Sequence, residues 1–333
     1  EATKHLPEEV RNLIAGGLAG MMAKSVVAPL DRIKIMYQVS SAKFKLRNIP
    51  GVVRTIVEQE GLQALWRGNG ATMLRVFPYA GIQFMVFDYC KSWVLKSSDT
   101  VGQGVQSTSL NKHGLMPVES LAAGSFAGVC SVLATYPLDL TRAQLAVLRK
   151  SEGGLKQGFA YVLGRNLRQR GIFGLYRGIT PTLAGMIPYA GIAFTINEQG
   201  KKRITRVHNR DPTTIERMLI GGLAGLVGQS GTYPFEITRR RMQTIGIVSG
   251  SAAESVLHTN SLSNVKSPPS LTETIRSLYA EQGVRGFFKG LSMNWMKGPI
   301  AFSISFTSYD LIKGAMMSPQ IARILIEEDS MDC

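Results

Sequence analysis

The six residues Pro-Leu-Asp-Arg-Ile-Lys at positions 29–34 are the first of three related segments in the chain. Pro-Leu-Asp-Leu-Thr-Arg occupies 137–142 and Pro-Phe-Glu-Ile-Thr-Arg occupies 234–239, so the copies recur at intervals of about 100 residues. Each copy has the form proline, any residue, acid, any two residues, base. Recurrence at a nearly constant interval predicts three structurally equivalent repeats.

Two apolar segments accompany each motif, and each has the length that crosses a bilayer as a helix, about 20 residues. They cover residues 13–30, 68–87, 120–138, 178–197, 218–235 and 290–309. Three of them are uncharged, and the other three contain one cation each: Lys24, Arg75 or Lys297. A soluble protein with six such segments would have too little amphipathic sequence to cover them. We therefore predict an all-α membrane protein with six transmembrane helices in three pseudo-symmetric two-helix repeats.

The boundaries between repeats follow from composition. The predicted repeats are 9–98, 115–206 and 213–316. The polar segments 99–114 and 247–269 are predicted to be flexible loops, and 318–333 is predicted to be a C-terminal tail. Each repeat also has two glycines four residues apart before its motif proline, at Gly16 and Gly20, Gly124 and Gly128, and Gly221 and Gly225. This spacing predicts faces that pack helix against helix.

The net charge, the cysteines and the absence of catalytic motifs limit the classes of function that fit this chain. With 38 Lys and Arg against 23 Asp and Glu, the chain carries a net charge of +15, which favours nucleic acid, anionic lipid or an anionic solute as partner. The three cysteines are far apart and form no CxxC pair, so they support neither a disulfide framework nor a metal site. No HExxH, GxSxG or GxxxxGK[ST] motif occurs. We therefore predict neither enzymatic activity nor a cofactor.

The acid and base of each motif stand at the end of an apolar segment, where an isolated charge is costly. One copy alone would be interpreted as a local i,i+3 pair. Threefold recurrence instead predicts that the sets meet between helices, because each motif proline bends its helix toward a common axis. This motif ring, a predicted gate, consists of Asp31, Lys34, Asp139, Arg142, Glu236 and Arg239.

A second set of charges ends the later apolar segment of each repeat. Acid and base again stand three residues apart, at Asp88 and Lys91, Glu198 and Lys201, and Asp310 and Lys313. By the same reasoning they form a second gate, the distal ring, at the opposite end of a central cavity. Two gates indicate transport by alternating access.

The cations inside the apolar segments, Lys24, Arg75 and Lys297, form the predicted cation cluster for phosphate groups. The alternative is that they extend to the lipid surface. Gly185, the position equivalent to Arg75 in the second repeat, is predicted to form with Met186 a flat apolar floor for a planar base. The alternative for Gly185 is helix packing.

The three motifs, with Gly-x4-aromatic-base-Gly elements at 61–68, 171–178 and 283–290, resemble the mitochondrial carrier family over nearly the whole chain. The resemblance implies the mitochondrial carrier fold and a monomer in the mitochondrial inner membrane. It also implies that the motif ring is the matrix gate and the distal ring the cytoplasmic gate. Lipid, cardiolipin included, would bind at the glycines that end these elements.

The resemblance further implies how the matrix gate is paired. The acid of one repeat meets the base of the next, giving Asp31 with Arg142, Asp139 with Arg239, and Glu236 with Lys34. Gln38 and Gln243 are similar to glutamines that brace such pairs in the family.

The substrate class also follows from the resemblance. Arg75, Gly185 with Met186, and Lys297 are similar in position to the family's three substrate contacts, and their combination resembles its nucleotide transporters. Segments 27–32 and 291–301 resemble the branch that carries coenzyme A. This implies import of coenzyme A, and related adenosine 3',5'-bisphosphate species, in exchange for adenine nucleotides such as ADP and ATP.

Four alternatives stay open. The chain could be a general adenine-nucleotide carrier for ATP, ADP and phosphate. It could be a passive channel or proton leak, which the sequence does not distinguish from an exchanger. It could act in the peroxisomal membrane, as some relatives do. A soluble nucleic-acid-binding module is disfavoured by the six apolar segments, and we predict no nucleic-acid partner.

Overall fold

The computed structural model describes residues 8–100, 117–148, 158–245 and 270–317. These residues contain nine α-helices and no β-strand. The helices are α1 (Glu8–Val39), α2 (Ile49–Glu60), α3 (Asn69–Thr100), α4 (Pro117–Val147), α5 (Phe159–Gly174), α6 (Ile179–His208), α7 (Thr214–Thr244), α8 (Leu271–Gly286) and α9 (Leu291–Met317). Two short 3-10 helices, Leu46–Asn48 and Leu62–Trp66, flank α2.

Each repeat contributes two long helices with a shorter helix between them. α1, α4 and α7 are the first long helices, α3, α6 and α9 are the second, and α2, α5 and α8 lie between. Every long helix has one internal proline, which removes a backbone hydrogen bond and favours a bend. These prolines are Pro29, Pro78, Pro137, Pro188, Pro234 and Pro299.

The long helices form a closed arrangement. The most extensive contacts join α3 to α4, α6 to α7, and α1 to α9, so the first and last repeats meet. α1, α4 and α7 also contact one another directly. The main hydrophobic core lies at the motif end of α1, where Ile33, Met36 and Tyr37 pack with Ile56 and Val147.

The chain presents an apolar surface to its surroundings. Two helical stretches, Glu119–Val147 and Ile179–His208, are long and apolar enough to cross a membrane by composition, with mean hydropathies of 1.5 and 1.4. Large apolar side chains on other helices are also exposed, including Met85 at 66% and Leu219 at 69%. A surface of this kind requires lipid or another apolar environment to cover it.

The structure corrects the prediction for the paired glycines. A Cβ atom added at Gly16, Gly20, Gly124, Gly221 or Gly225 would meet nothing within 4 Å. Gly128 alone among the six faces a side chain, with Met186 Cε at 3.4 Å. α1, α4 and α7 meet through their motif ends, so the glycines in their earlier halves border open space instead of a helix.

The predicted loop 99–114 is wrong for its first two residues, which belong to α3. The apolar and helix-favouring sequence before them continues the helix to Thr100. The rest of that loop, the loop 247–269 and the tail 318–333 lie outside the described residues.

Candidate transport site

The motif ring residues meet in three ion pairs that join different repeats. Arg142 Nη2 lies 2.6 Å from Asp31 Oδ2, linking α4 to α1. Lys34 Nζ lies 2.6 Å from Glu236 Oε1, linking α1 to α7. Arg239 contacts Asp139, linking α7 to α4. The three pairs therefore tie the first long helices of all three repeats together.

Burial makes each of these ion pairs costly to break. The side chains of Asp139 and Lys34 are only 3% and 8% exposed. A buried charge that loses its partner is strongly destabilising, because its desolvation is no longer offset. Separation of the three helices at this end thus requires new partners or water for each exposed charge.

Two glutamines brace the ring through tyrosines that precede motif prolines. Gln38 Nε2 donates to Tyr233 Oη at 3.1 Å, and Gln243 Nε2 donates to Tyr136 Oη at 3.2 Å. The sequence analysis missed both tyrosines. The available signal was the Tyr-Pro dipeptide in two of the three motif copies, where the first copy has Ala28.

Two members of the cation cluster contact the acids of the ring. Arg75 Nη1 lies 2.8 Å from Asp139 Oδ1, and Arg75 Nε donates to Thr135 Oγ1 at 3.2 Å. Lys297 Nζ lies 2.6 Å from Asp31 Oδ1. Asp31 and Asp139 therefore each hold two cations, one from the ring and one from the cluster.

Lys24 completes the cluster from α1. Its charged neighbours are Arg75, Arg142 and Lys297, together with Asp31, and within the described residues it has no ion pair. The cluster and the motif ring together contain six bases and three acids, an excess of three positive charges. The centre of the helix assembly therefore attracts polyvalent anions.

A family comparison identifies the group of proteins to which this chain belongs. The model of the family described as "Mitochondrial carrier protein" matches residues 7–98, 114–208 and 210–320. The chain belongs to the mitochondrial carrier family. It is a multi-pass protein of the mitochondrial inner membrane, and members of its family are transporters.

Individual carriers are similar over most of their length. The mitochondrial coenzyme A transporter SLC25A42 of Xenopus laevis is 42% identical over 313 residues, which are 93% of this chain and 87% of that protein. The human protein of the same name is 42% identical over 305 residues, 91% of this chain and 86% of its own. The mitochondrial carrier protein CoAc2 of Zea mays is 35% identical over 340 residues, 98% and 93% of the two chains.

The distal ring is not assembled in this carrier structure. Lys201 Nζ pairs with Glu198 Oε1 at 3.3 Å, but both belong to α6. Among the described residues, no ion pair joins Asp88, Lys91, Asp310 or Lys313 to another helix. The closing of this second ring therefore stays a prediction for another conformation. α3, α6 and α9 make no substantial contact with one another over their described lengths, so these charges lie too far apart to pair.

Gly185 and Met186 are placed at helix contacts of the carrier. A Cβ atom at Gly185 would lie 3.1 Å from Phe235 Cβ, so glycine permits the close approach of α6 to α7. Met186 Cε lies 3.4 Å from the Cβ position of Gly128 on α4. Packing thus accounts for Gly185, and contact of either residue with a base stays a prediction.

A threefold set of helix caps was also missed. The base of each aromatic-base-Gly element donates to a backbone carbonyl of the next repeat. That carbonyl lies just after the C-terminal end of the first long helix, where the last carbonyls of a helix have no partner within the helix. The bonds are Arg67 to Leu148 O at 2.9 Å, Arg177 to Ile245 O at 2.9 Å, and Lys289 to Ser40 O at 2.6 Å. The threefold element was the available signal, but its partner carbonyls lie in other repeats.

Proposed function

We propose that this carrier imports coenzyme A into the mitochondrial matrix in exchange for adenine nucleotides. The observation that carries the proposal is the meeting of Lys24, Arg75 and Lys297 around the centre of the helix assembly, next to the motif ring. The similarity to transporters named for coenzyme A supports this choice of substrate.

The chemistry of coenzyme A suits the cation cluster. The molecule carries a diphosphate on the 5' side of its ribose and a phosphate on the 3' side. Three neighbouring cations can contact several phosphate groups of one substrate at once, through charge-assisted hydrogen bonds. Adenosine 3',5'-bisphosphate, ADP and ATP offer related phosphates to the same three side chains, and the adenine ring would lie near Gly185 and Met186.

Substrate binding would act directly on the matrix gate. A phosphate that takes Arg75 removes one of the two cations of Asp139, and a phosphate that takes Lys297 does the same to Asp31. Each acid then keeps a single partner to offset its burial. The closed motif ring is less stable with substrate bound, so substrate favours its opening toward the matrix.

The observed conformation is the one that receives substrate from the cytoplasmic side. Its motif ring is paired and its distal ring is unpaired. When the motif ring opens, the distal charges of α3, α6 and α9 would approach and pair. One chain supplies both gates and all three cations, so we propose a monomeric exchanger, with cardiolipin bound at Gly68, Gly178 and Gly290.

The experiment is uptake of labelled coenzyme A by liposomes containing the purified carrier. One set holds internal ADP, one has an empty interior, and one contains the Arg75→Ala variant. We expect uptake that requires ADP and is lost in the variant. Rapid ATP or phosphate exchange without coenzyme A uptake would instead identify a general adenine-nucleotide carrier. Flux independent of any internal substrate would identify a channel or leak.

A further inference from the structure

A crevice lies between α1 and α9, beyond Lys24 on the side away from the motif ring. Its volume is about 490 Å³, within the range of about 300 to 1,000 Å³ that ligand pockets occupy. Glycines form much of one wall and aromatic rings much of the other. The lining includes Gly16, Gly20, Lys24, Phe302, Ser305 and Phe306.

We propose that this crevice holds the pantetheine arm of coenzyme A while Lys24 holds phosphate at its inner end. The proposal rests on the function proposed above and adds the element that separates coenzyme A from nucleotides without an arm. Nothing in the motif ring or the cation cluster makes that distinction, because those groups recognise only phosphate.

The crevice extends from the cation cluster in the direction in which the arm of coenzyme A would extend from its diphosphate. The arm begins at the diphosphate, and the crevice begins at Lys24. From Lys24 it follows α1 back to Gly16, eight residues along the helix or about 12 Å. A substrate whose diphosphate meets the cation cluster therefore has an open path for its arm along this wall.

The lining suits an uncharged chain that carries methyl, amide and hydroxyl groups. Phe302 and Phe306 form a tilted pair with ring centroids 5.6 Å apart, and they are 64% and 51% exposed. Their rings offer apolar contact to the methyl groups of the arm. The hydroxyl of Ser305 lies between them along α9 and is available to the amides.

The crevice has free space along its glycine wall. A Cβ atom at Gly16 or Gly20 would meet nothing within 4 Å, so no protein group fills the space beside them. Ala19 and Ala23, 0% and 4% exposed, close the floor where α1 meets α9. Gly16, Gly20 and Lys24 stand four residues apart and share one helix face, so the glycine wall is continuous with Lys24 of the cation cluster.

The equivalent position in the second repeat is occupied. Gly128 corresponds to Gly20, and Met186 Cε lies 3.4 Å from its Cβ position. The arm thus has an open wall in the first repeat that the second repeat lacks. Gly225 of the third repeat also borders open space, but it does not line this crevice.

The test compares three probes with the purified carrier in nanodiscs: coenzyme A, dephospho-coenzyme A and adenosine 3',5'-bisphosphate. The first two have the arm and the third lacks it. Gly20→Leu fills the crevice without a steric conflict at Cβ. We expect the dissociation constants of both arm-bearing probes to rise about tenfold, while that of adenosine 3',5'-bisphosphate stays unchanged.

Two further variants make the result specific. Gly225→Leu adds the same side chain at the corresponding position of the third repeat, which also has open space and does not line the crevice. All three probes should bind this variant normally. Ser305→Leu fills the crevice from α9 and should reproduce the effect of Gly20→Leu.

Several results would overturn the proposal. These are an equal loss for all three probes, normal binding of coenzyme A by Gly20→Leu and Ser305→Leu, or an equal loss in Gly225→Leu. Loss of bound lipid from Gly20→Leu with normal coenzyme A binding would assign the crevice to an acyl chain instead. Failure of the proposed function gives a different result. The unsubstituted carrier would then bind ADP but neither coenzyme A nor dephospho-coenzyme A, and this would overturn both the proposed function and the proposed role of the crevice.

Discussion

Arg75 on α3 donates to Asp139 on α4, with 2.8 Å between Nη1 and Oδ1, although Asp139 is also the partner of Arg239. A cation of the proposed substrate site and a cation of the proposed gate thus share one buried carboxylate. Lys297 and Arg142 share Asp31 in the same way. In the proposed mechanism, substrate binding and gate opening are coupled directly through these acids.

Lys297→Ala should reduce coenzyme A uptake more than tenfold. A phosphate left without this partly buried cation costs about 2 to 5 kcal/mol, and 1.4 kcal/mol corresponds to a factor of ten. Lys297→Arg keeps the charge and should retain most of the uptake. The measurement is the initial rate in liposomes with internal ADP. Equal rates for Lys297→Ala and the unsubstituted carrier would remove Lys297 from the substrate site.

Exchange of the charges of Lys34 and Glu236 should restore transport that either single change abolishes. Glu236→Lys places two buried cations together, and Lys34→Glu places two acids together. Neither residue forms an ion pair with the cation cluster, although Lys297 is a charged neighbour of Lys34. Asn294, which accepts from Lys34 at 2.8 Å, has an amide that can donate instead.

The matched control for this swap is Asp31→Arg with Arg142→Asp. That pair should stay inactive, because Arg at position 31 would face Lys297, which now lies 2.6 Å from Asp31. Adenine-nucleotide exchange in liposomes measures both doubles. Failure of the Lys34 and Glu236 double would contradict the pairing described for the ring. Rescue of the control would instead contradict the contact between Lys297 and Asp31.

The sequence supports prediction where the repeats impose symmetry. Three equivalent helices that end in acid and base have few ways to satisfy those charges, so their meeting between helices could be predicted. Which acid meets which base was implied only by the family resemblance. Contacts between a first long helix and a second long helix cannot be predicted from the symmetry of the repeats. The bond from Arg75 to Asp139 depends on the rotation and height of α3 against α4, which no local pattern in the sequence specifies.

The glycine prediction failed for a related reason. GxxxG spacing indicates a face without side chains, but it does not say whether another helix or open space lies against that face. The distal ring shows the same limit, since the sequence contains its charges but not the conformation in which they meet. A transporter that alternates has two sets of contacts, and one structure contains one set.

Arg32→Met should lower the thermal stability of the carrier strongly. Arg32 is 1% exposed and donates to Glu60 Oε2 at 2.7 Å, Ala64 O at 2.6 Å and Ala146 O at 3.1 Å. Removing it leaves Glu60 buried without its closest cation, at a cost of about 3 to 5 kcal/mol. The measurement is the melting temperature in detergent, where unfolding is monitored by the reactivity of cysteine thiols.

Arg54→Ala is the matched control for that measurement. Arg54 also pairs with a glutamate at 2.7 Å, Glu58, but both side chains are exposed. Water and salt screen such a pair, so its loss should leave the melting temperature unchanged. Equal melting temperatures for Arg32→Met and Arg54→Ala would show that the buried bonds of Arg32 contribute no net stability.

Lys289 should make the stability of the carrier depend on pH. It lies in the turn before α9, donates to Ser40 O, and faces Arg241 and Glu281. Burial, and next the positive charge of Arg241, lower the pKa of Lys289 from 10.5 to about 7. Between these values the unfolded chain binds a proton that the folded chain releases, so stability rises with pH by up to about 1.4 kcal/mol per unit.

Thermal unfolding at pH 7 and pH 9 tests this for the unsubstituted carrier and for two variants. Lys289→Arg keeps a donor for Ser40 O but stays charged throughout, and Lys289→Met has neither a donor nor a charge. Both variants should therefore lose the rise in melting temperature, and only Lys289→Met should lose the cap on α1. The same rise in all three proteins would mean that Lys289 stays charged in the folded carrier, and that its bond to Ser40 O offsets the cost of burial.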